Sequence, residues 1–448
     1  LVSNSSMVTV AIPSITEYFQ AGILASSWIA MAPLVIITGL IVPVGKLAEA
    51  LGRGRVYLTG LIVFAAGGVL CGISTSISFL ITAGILQAVG AAAVFACNPA
   101  LIATLFPASH RGRALGLAGL GVSLGFLAGP AGGGYILQYL GWRFIYLFGL
   151  PIGIINYVVM RWSLEEEPRG LAPGLRFDVA GASYFFVSVA FFILTLNQGA
   201  RLGWSSPFVL LTGLISSACI LWFIIHETRT DNLIMDVRIF HNILFTTSII
   251  ARVCFFMLSA IFSFTIPFYL QQVLHYSPSR MGILMSPVPL LQLTAGPISG
   301  WISDHIGTRW PTSTGLLIAG ITAASLITMG TSPSLAEILT KFVIFGFGLG
   351  IFPVPNMSAL IGSVDQREVG FASSSISLFR SLGMVMGIAA ANVTINLSIS
   401  GAGSQASAVR EAALQSGLEN SWLLAAALGV VGATFSMLRE SRTHKADR

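Results

Sequence analysis

Charge is what this chain has least of. Of its 448 residues 9% are charged and 55% hydrophobic, whereas a water-soluble globule carries roughly 25% charged residues. That shortage excludes a soluble fold. Cysteine is scarce too. The four present, Cys71, Cys97, Cys219 and Cys254, all fall inside apolar runs, where they act as small hydrophobes, so neither a disulfide framework nor a metal site is expected. Catalytic patterns are missing as well. The apolar spans offer no His-Glu metalloprotease pattern, no phosphate loop and no paired acids, and the serines of 3–6 and 373–377 have no His and acid beside them to activate a nucleophile. The expectation is a non-enzyme without a cofactor. No signal peptide is visible, because no cationic lead or small-residue cleavage site is present. The first apolar run stops at Ile15, so the first span is expected to be truncated.

What is present is a succession of apolar stretches of about 20 residues, each long enough to cross a hydrocarbon core of about 30 Å as a helix. Fourteen spans are read, with centres near Thr9, Ile36, Phe64, Ala91, Gly125, Pro151, Val187, Leu214, Phe256, Leu290, Ala319, Gly346, Gly383 and Ala427. The 48 Gly and 19 Pro suit close helix packing and kinked helices. If the first span runs outward, Lys46, Arg53, Arg55, Arg111, Arg113, Arg161, Arg229, Arg238, Arg309 and the tail arginines collect on the inner side. Both termini are therefore expected in the cytoplasm. The net charge of +6 is a topology signal of this kind, and no basic face for nucleic acid is visible.

Two polar loops share one pattern. Gly45, Glu49, Gly52 and Arg53 stand between the second and third runs, and Gly300, Asp304, Gly307 and Arg309 between the tenth and eleventh. A motif repeated between apolar hairpins points to two related halves. The halves are expected at 1–164 and 243–448, with an inserted helical hairpin and its charged connectors at 165–242. Glycines allow a tight turn, while an acid and arginines at helix ends pair in one arrangement and part in another. Glu49, Arg53, Arg113, Asp304 and Arg309 are thus candidate gate residues, against the plainer reading of solvated loop charges. The segment 398–420, rich in Ser, Ala and Gly, reads as a long loop with a short helix near 408–415.

In the fifth run Gly121, Gly125, Gly129-Pro130, Gly132 and Gly133 put small residues on one helical face, and Pro130 removes a backbone hydrogen bond and bends the helix. Two arginines, Arg252 and Arg380, lie inside apolar runs, where a guanidinium must face the bundle interior, find a partner or snorkel to a boundary. If both face inward, an anionic or zwitterionic substrate is favoured over a cationic one. Gln87, Asn98, Gln292, Asn356 and Asn392 are the other polar groups at membrane depth, as substrate contacts or helix-to-helix bonds.

On these motifs the chain resembles the major facilitator superfamily, and within it the fourteen-helix drug:H+ antiporters. Gly45, Leu47, Glu49, Gly52, Arg53 and Arg55 resemble the family's loop between helices two and three, with Glu where Asp is usual. Gly125, Gly129, Pro130, Gly132 and Gly133 resemble its antiporter signature. The resemblance implies an all-α integral membrane fold of two pseudo-symmetric six-helix halves plus a two-helix insertion, in the inner or plasma membrane, most simply a monomer. It implies secondary active export of lipophilic small molecules by alternating access, with protons as counter-substrate. It also places Gln87 and Asn98 on the helix of substrate and coupling residues. Asn4 stands where the family has an aspartate, and Gly84 where it has an arginine. A proton carrier needs a group that titrates, so these departures favour an alternative, a proton-uncoupled carrier of anionic or zwitterionic amphiphiles or lipids. A transport-inactive sensor or scaffold of the same fold is the third reading.

Overall fold

The computed structural model describes residues 2–105, 111–163, 178–228, 237–364, 369–402 and 407–438. At some helical positions, Lys46, Glu49 and Arg113 among them, only the backbone is described. All regular structure in the described residues is helical, as expected where lipid offers no partner to an open N–H or C=O. Every span centre read from the sequence lies in a helix. Among the described residues, ten helical segments are long and apolar enough to cross a membrane, and Ala25–Ile41 and Ala180–Leu196 are shorter apolar stretches.

The chain forms two compact units, Leu1–Ile234 and Met235–Arg448. The first comprises α1 (Val2–Tyr18), α2 (Ile23–Leu51), α3 (Arg53–Gly72), α4 (Ile77–Leu105), α5 (Arg111–Tyr139), α6 (Trp142–Leu147), α7 (Gly149–Ser163), α8 (Val179–Leu202) and α9 (Pro207–Glu227). The second opens with a 3-10 turn, Val237–His241, and continues with α10 (Ile243–Phe268), α11 (Pro278–Met285), α12 (Pro287–Ile306), α13 (Arg309–Ser325), α14 (Leu335–Ile351), α15 (Pro353–Gly362), α16 (Val369–Ala402) and α17 (Ser407–Met437). Prolines begin α9, α11, α12 and α15, where the missing N–H is one that a helix start leaves open anyway. Pro287 and Pro353 thereby divide two spans into paired segments that hydropathy alone reads as single runs.

The two units repeat one packing scheme. In the first, α1 packs on α5, α2 on α4, and α3 on α4, α6 and α7; in the second, α10 packs on α16, α12 on α14, and α13 on α14 and α17. Glycines set several of these contacts. A side chain at Gly90 of α4 would collide with the α3 backbone at Phe64 and Gly60, and one at Gly387 of α16 would collide with the α10 backbone at Met257. Small residues let helices approach when apolar tails on both sides cancel the hydrophobic drive. α10 is the most enclosed span and the α6–α7 pair the least.

The hairpin α8–α9 belongs to the first unit. α8 packs on α2, where the Phe186 ring lies so close over Gly39 that no side chain would fit there. Asp178 caps α8 by accepting from the Gly181 N–H at 2.9 Å, and both its carboxylate oxygens lie 3.0 Å from His226 Nε2 at the end of α9. Asn242 caps α10 through Leu244 and Phe245, and its amide donates to the Ser363 carbonyl at 2.7 Å.

One expectation is corrected. The segment 398–420 is not a long loop with a short helix. α16 runs to Ala402 and α17 starts at Ser407, so Glu411 and Glu419 stand on a helix. Serine and alanine dilute hydropathy without breaking a helix; Asn420 donates to the Ser398 hydroxyl at 3.5 Å across the two helices, and Thr394 bonds Ser421 at 2.6 Å beside the segment.

Candidate functional site

The repeated loops fold alike. Gly52 ends α2 at φ +95° and Gly307 ends α12 at φ +83°, a left-handed backbone that only glycine adopts without strain. Each is followed within two residues by the first residue of the next helix, Arg53 of α3 or Arg309 of α13. Gly45 lies 3.9 Å, measured from its Cβ position, from the Ala96 Cβ, and Gly300 lies 3.0 Å from Val354. Asp304 is exposed, and among the described residues it makes no ion pair. The Nε of Arg309 is buried with no hydrogen-bond partner. Arg53 is half-buried. The side chains of Glu49 and Arg113 lie outside the described residues.

The glycine-proline face of α5 rests on α1. A side chain at Gly129 would strike Ser6, one at Gly133 would come 2.9 Å from the Met7 Cα, and one at Gly132 would come 3.2 Å from the Met7 methyl. Pro130 is inside the helix. Gly125 is buried on the same helix, while Gly121 has open space beside it.

Within the first unit the polar centre is neutral. The buried Asn4 donates to the Ile145 carbonyl of α6 at 2.9 Å. Gln87 is 8% exposed and lies across Gly67 and Gly68 of α3, and its Nε2 is buried without a hydrogen-bond partner. Asn98, a few turns along α4, is half-buried. Gly84 lies near the Pro33 ring.

Within the second unit the polar centre is cationic. Arg252 of α10 is 7% exposed. Its Nε donates to the Ile376 carbonyl of α16 at 3.1 Å, its Nη1 reaches the Asn356 Oδ1 of α15 at 3.5 Å, and its guanidinium lies 5.1 Å from the centroid of the Phe256 ring. Asn356 is fully buried and anchored by its own N–H donating to the Ser248 carbonyl at 3.1 Å. The amide therefore spans α10 and α15 and turns its oxygen to the cation. Arg380, one turn past Ile376, is half-buried. Just beyond the cluster, Ile239, Phe245, Ile249, Leu360 and Ile376 form an apolar core. Sequence reasoning named Arg252, Arg380 and Asn356 separately and missed that Asn356 holds Arg252. Its one signal was the Pro353 and Pro355 break just before Asn356.

At the far end of this unit α10 passes into a π-helical turn, Tyr269–Val273. The Tyr269 hydroxyl donates to the Gly330 carbonyl at 2.7 Å, and Lys341 pairs with Glu337 at 2.6 Å while donating to Ser325 and Thr328.

The Major Facilitator Superfamily model matches residues 2–388. The chain belongs to the major facilitator superfamily. It is 30% identical over 387 residues to the riboflavin transporter RibZ of Clostridioides difficile (strain 630), covering 86% of this chain and 83% of that one. It is 29% identical to the multidrug transporter protein MdtP of Bacillus subtilis (strain 168), covering 88% and 72%. It is 30% identical to the multidrug resistance protein Stp of Mycobacterium tuberculosis (strain CDC 1551 / Oshkosh), covering 86% and 72%. Among solved structures, a bacterial homologue of the human lysosomal transporter Spinster, inward-facing and unoccupied, superimposes with a TM-score of 0.73 at 16% identity, covering 98% of this chain and 93% of that one. A POT family transporter in complex with 5-aminolevulinic acid gives 0.70 at 14%, covering 96% and 91%. At such identities these two bear on the fold alone. This major facilitator protein is thus a multi-pass membrane transporter of small molecules and not an enzyme.

Proposed function

We propose that this transporter exports lipophilic small molecules by alternating access, with fourteen spans, both termini cytoplasmic and the cell membrane as its site. The reading takes 1–164 and 243–448 as the two moving halves and 165–242 as the insertion. The observation that carries it is the repeat of a left-handed glycine, Gly52 and Gly307, at the same helix-to-helix turn of both units. Two equivalent tight turns, each beside an arginine and within three residues of an acid, are what a symmetric gate requires. The α5 face against Ser6 and Met7, with Pro130 inside the helix, supplies the bendable contact. Relatives named for multidrug resistance support lipophilic cargo. The one named for riboflavin supports a flat, partly polar cargo.

A second reading, export without proton coupling, is favoured by one observation. Asn4 is engaged by a backbone carbonyl and neither it nor Gln87 titrates, so among the described residues the first unit's centre offers no carboxylate for a proton. The experiment is transport into proteoliposomes with a pH dye inside and riboflavin or a panel of lipophilic cations, anions and neutral compounds outside. Movement of a compound that is lost in Gly52→Val and Gly307→Val supports the gated export reading, and a wild-type chain that moves none of the compounds sinks it. An internal pH change linked to movement would overturn the uncoupled reading.

A further inference from the structure

The two arginines of the second unit lie on one contact line. Along α16, Ile376, Arg380, Gly383 and Gly387 follow at steps of four, three and four residues, which is one helical face. Three of the four touch α10: the Ile376 carbonyl receives Arg252, Gly383 packs on Val253 and Phe256, and Gly387 packs on Met257 and Ala260. The register puts Arg380 between the contacts to residues 252 and 256, beside the Arg252 guanidinium.

The described surroundings give these cations no counter-charge. Among the described residues no carboxylate pairs with either group, and Arg380 makes no hydrogen bond or ion pair. Arg252 spends Nε and Nη1 on a carbonyl and an amide, while Nη2 has no bond within the protein and is not sealed from solvent. Asn356, itself fixed by the Ser248 carbonyl, sets the orientation of the guanidinium. Adjacent like charges in an apolar setting are unfavourable unless an anion joins them, and guanidinium forks match a two-oxygen anion.

We propose that Arg252 and Arg380 form a binding site for the oxyanion of an amphiphile, a carboxylate or alkyl phosphate whose apolar part lies along Phe256. Asn356 is a positioning residue in this site. The site deepens the transport reading above by naming the cargo class, and it rests on that reading only for the step of movement.

The test uses the full chain in nanodiscs of phosphatidylcholine, with octanoate and octyl phosphate as probes and octanol and octyltrimethylammonium as controls. Both anions raise the melting temperature and bind, the controls do not, and Arg380→Gln weakens anion binding about 10- to 100-fold, the ratio expected of a lost charge-assisted contact. Arg380→Lys restores part of it. Arg252→Gln does the same, and should that buried variant fail to fold, Arg380→Gln, which breaks no bond within the protein, decides alone. Equal effects of anions and controls, or anion binding that survives Arg380→Gln, would overturn the proposal. Adding phosphatidylglycerol distinguishes the sources. If it reproduces the stabilisation and abolishes the octyl phosphate increment, the occupant is a lipid headgroup; if not, it is a soluble amphiphile. A wild-type chain that binds these anions yet transports nothing ends the export reading and leaves the site standing.

Discussion

The two units share a packing scheme and a turn, yet they fill their centres with opposite chemistry. The first holds two amides, Asn4 and Gln87, and the second a guanidinium braced by an amide, with another guanidinium one turn away. The difference separates what the repeated architecture requires from what the cargo requires. Close glycine contacts and left-handed turns recur in both units, so they belong to the architecture. Among the described residues the arginines have no counterpart at the first unit's centre, so they belong to the second unit's individual task.

The largest expected effect tests the shared part. Gly90→Val and Gly387→Val each force a side chain into a neighbouring backbone and should cost about 3 kcal/mol or more, seen as loss of monodisperse protein or a steep fall in melting temperature. Equal losses in both units fit the comparison, and a benign result in either breaks it. The next effect separates the centres. Asn356→Ala removes one of a buried cation's two acceptors and the bond to Ser248 and is expected to destabilise by about 2–3 kcal/mol, whereas Asn4→Ala removes one neutral bond and costs about 1 kcal/mol. Denaturation curves that rank the two the other way would undo the contrast. Smaller again, Gly52→Ala and Gly307→Ala each impose a left-handed conformation on a residue with a Cβ, costing roughly 1–2 kcal/mol. Both should slow transport, measured as initial rates in proteoliposomes, by similar factors. The smallest is Gln87→Leu. Replacing an amide nitrogen that has no hydrogen-bond partner should leave stability within about 1 kcal/mol of the parent or raise it, and a large loss would mean that the amide is engaged elsewhere.

Much of the fold was legible because a membrane leaves few options. Once the runs of about 20 apolar residues are found, helices follow, and the loop pattern at Gly45 and Gly300 announced the repeat. Segment 398–420 was misread because its Ser, Ala and Gly lower hydropathy without breaking a helix, and the bond that joins its two ends, Asn420 to Ser398, crosses from one helix to the other. The breaks at Phe148, Ser286 and Phe352 fall inside continuous apolar runs and leave no trace in hydropathy. The site was legible residue by residue and not as a site. Arg252 and Asn356 are 104 positions apart, and no local pattern says that one holds the other.

The seat of Phe186 on Gly39 has a practical consequence. Because α8 packs on α2 and α9 packs on α8, a fluorophore on the exposed face of α9, at Leu214 or Trp222, would ride with the first unit as a passenger. It would report any movement of that unit without touching a helix of the polar centre, so the α8–α9 hairpin is a handle already fitted for watching the transporter work.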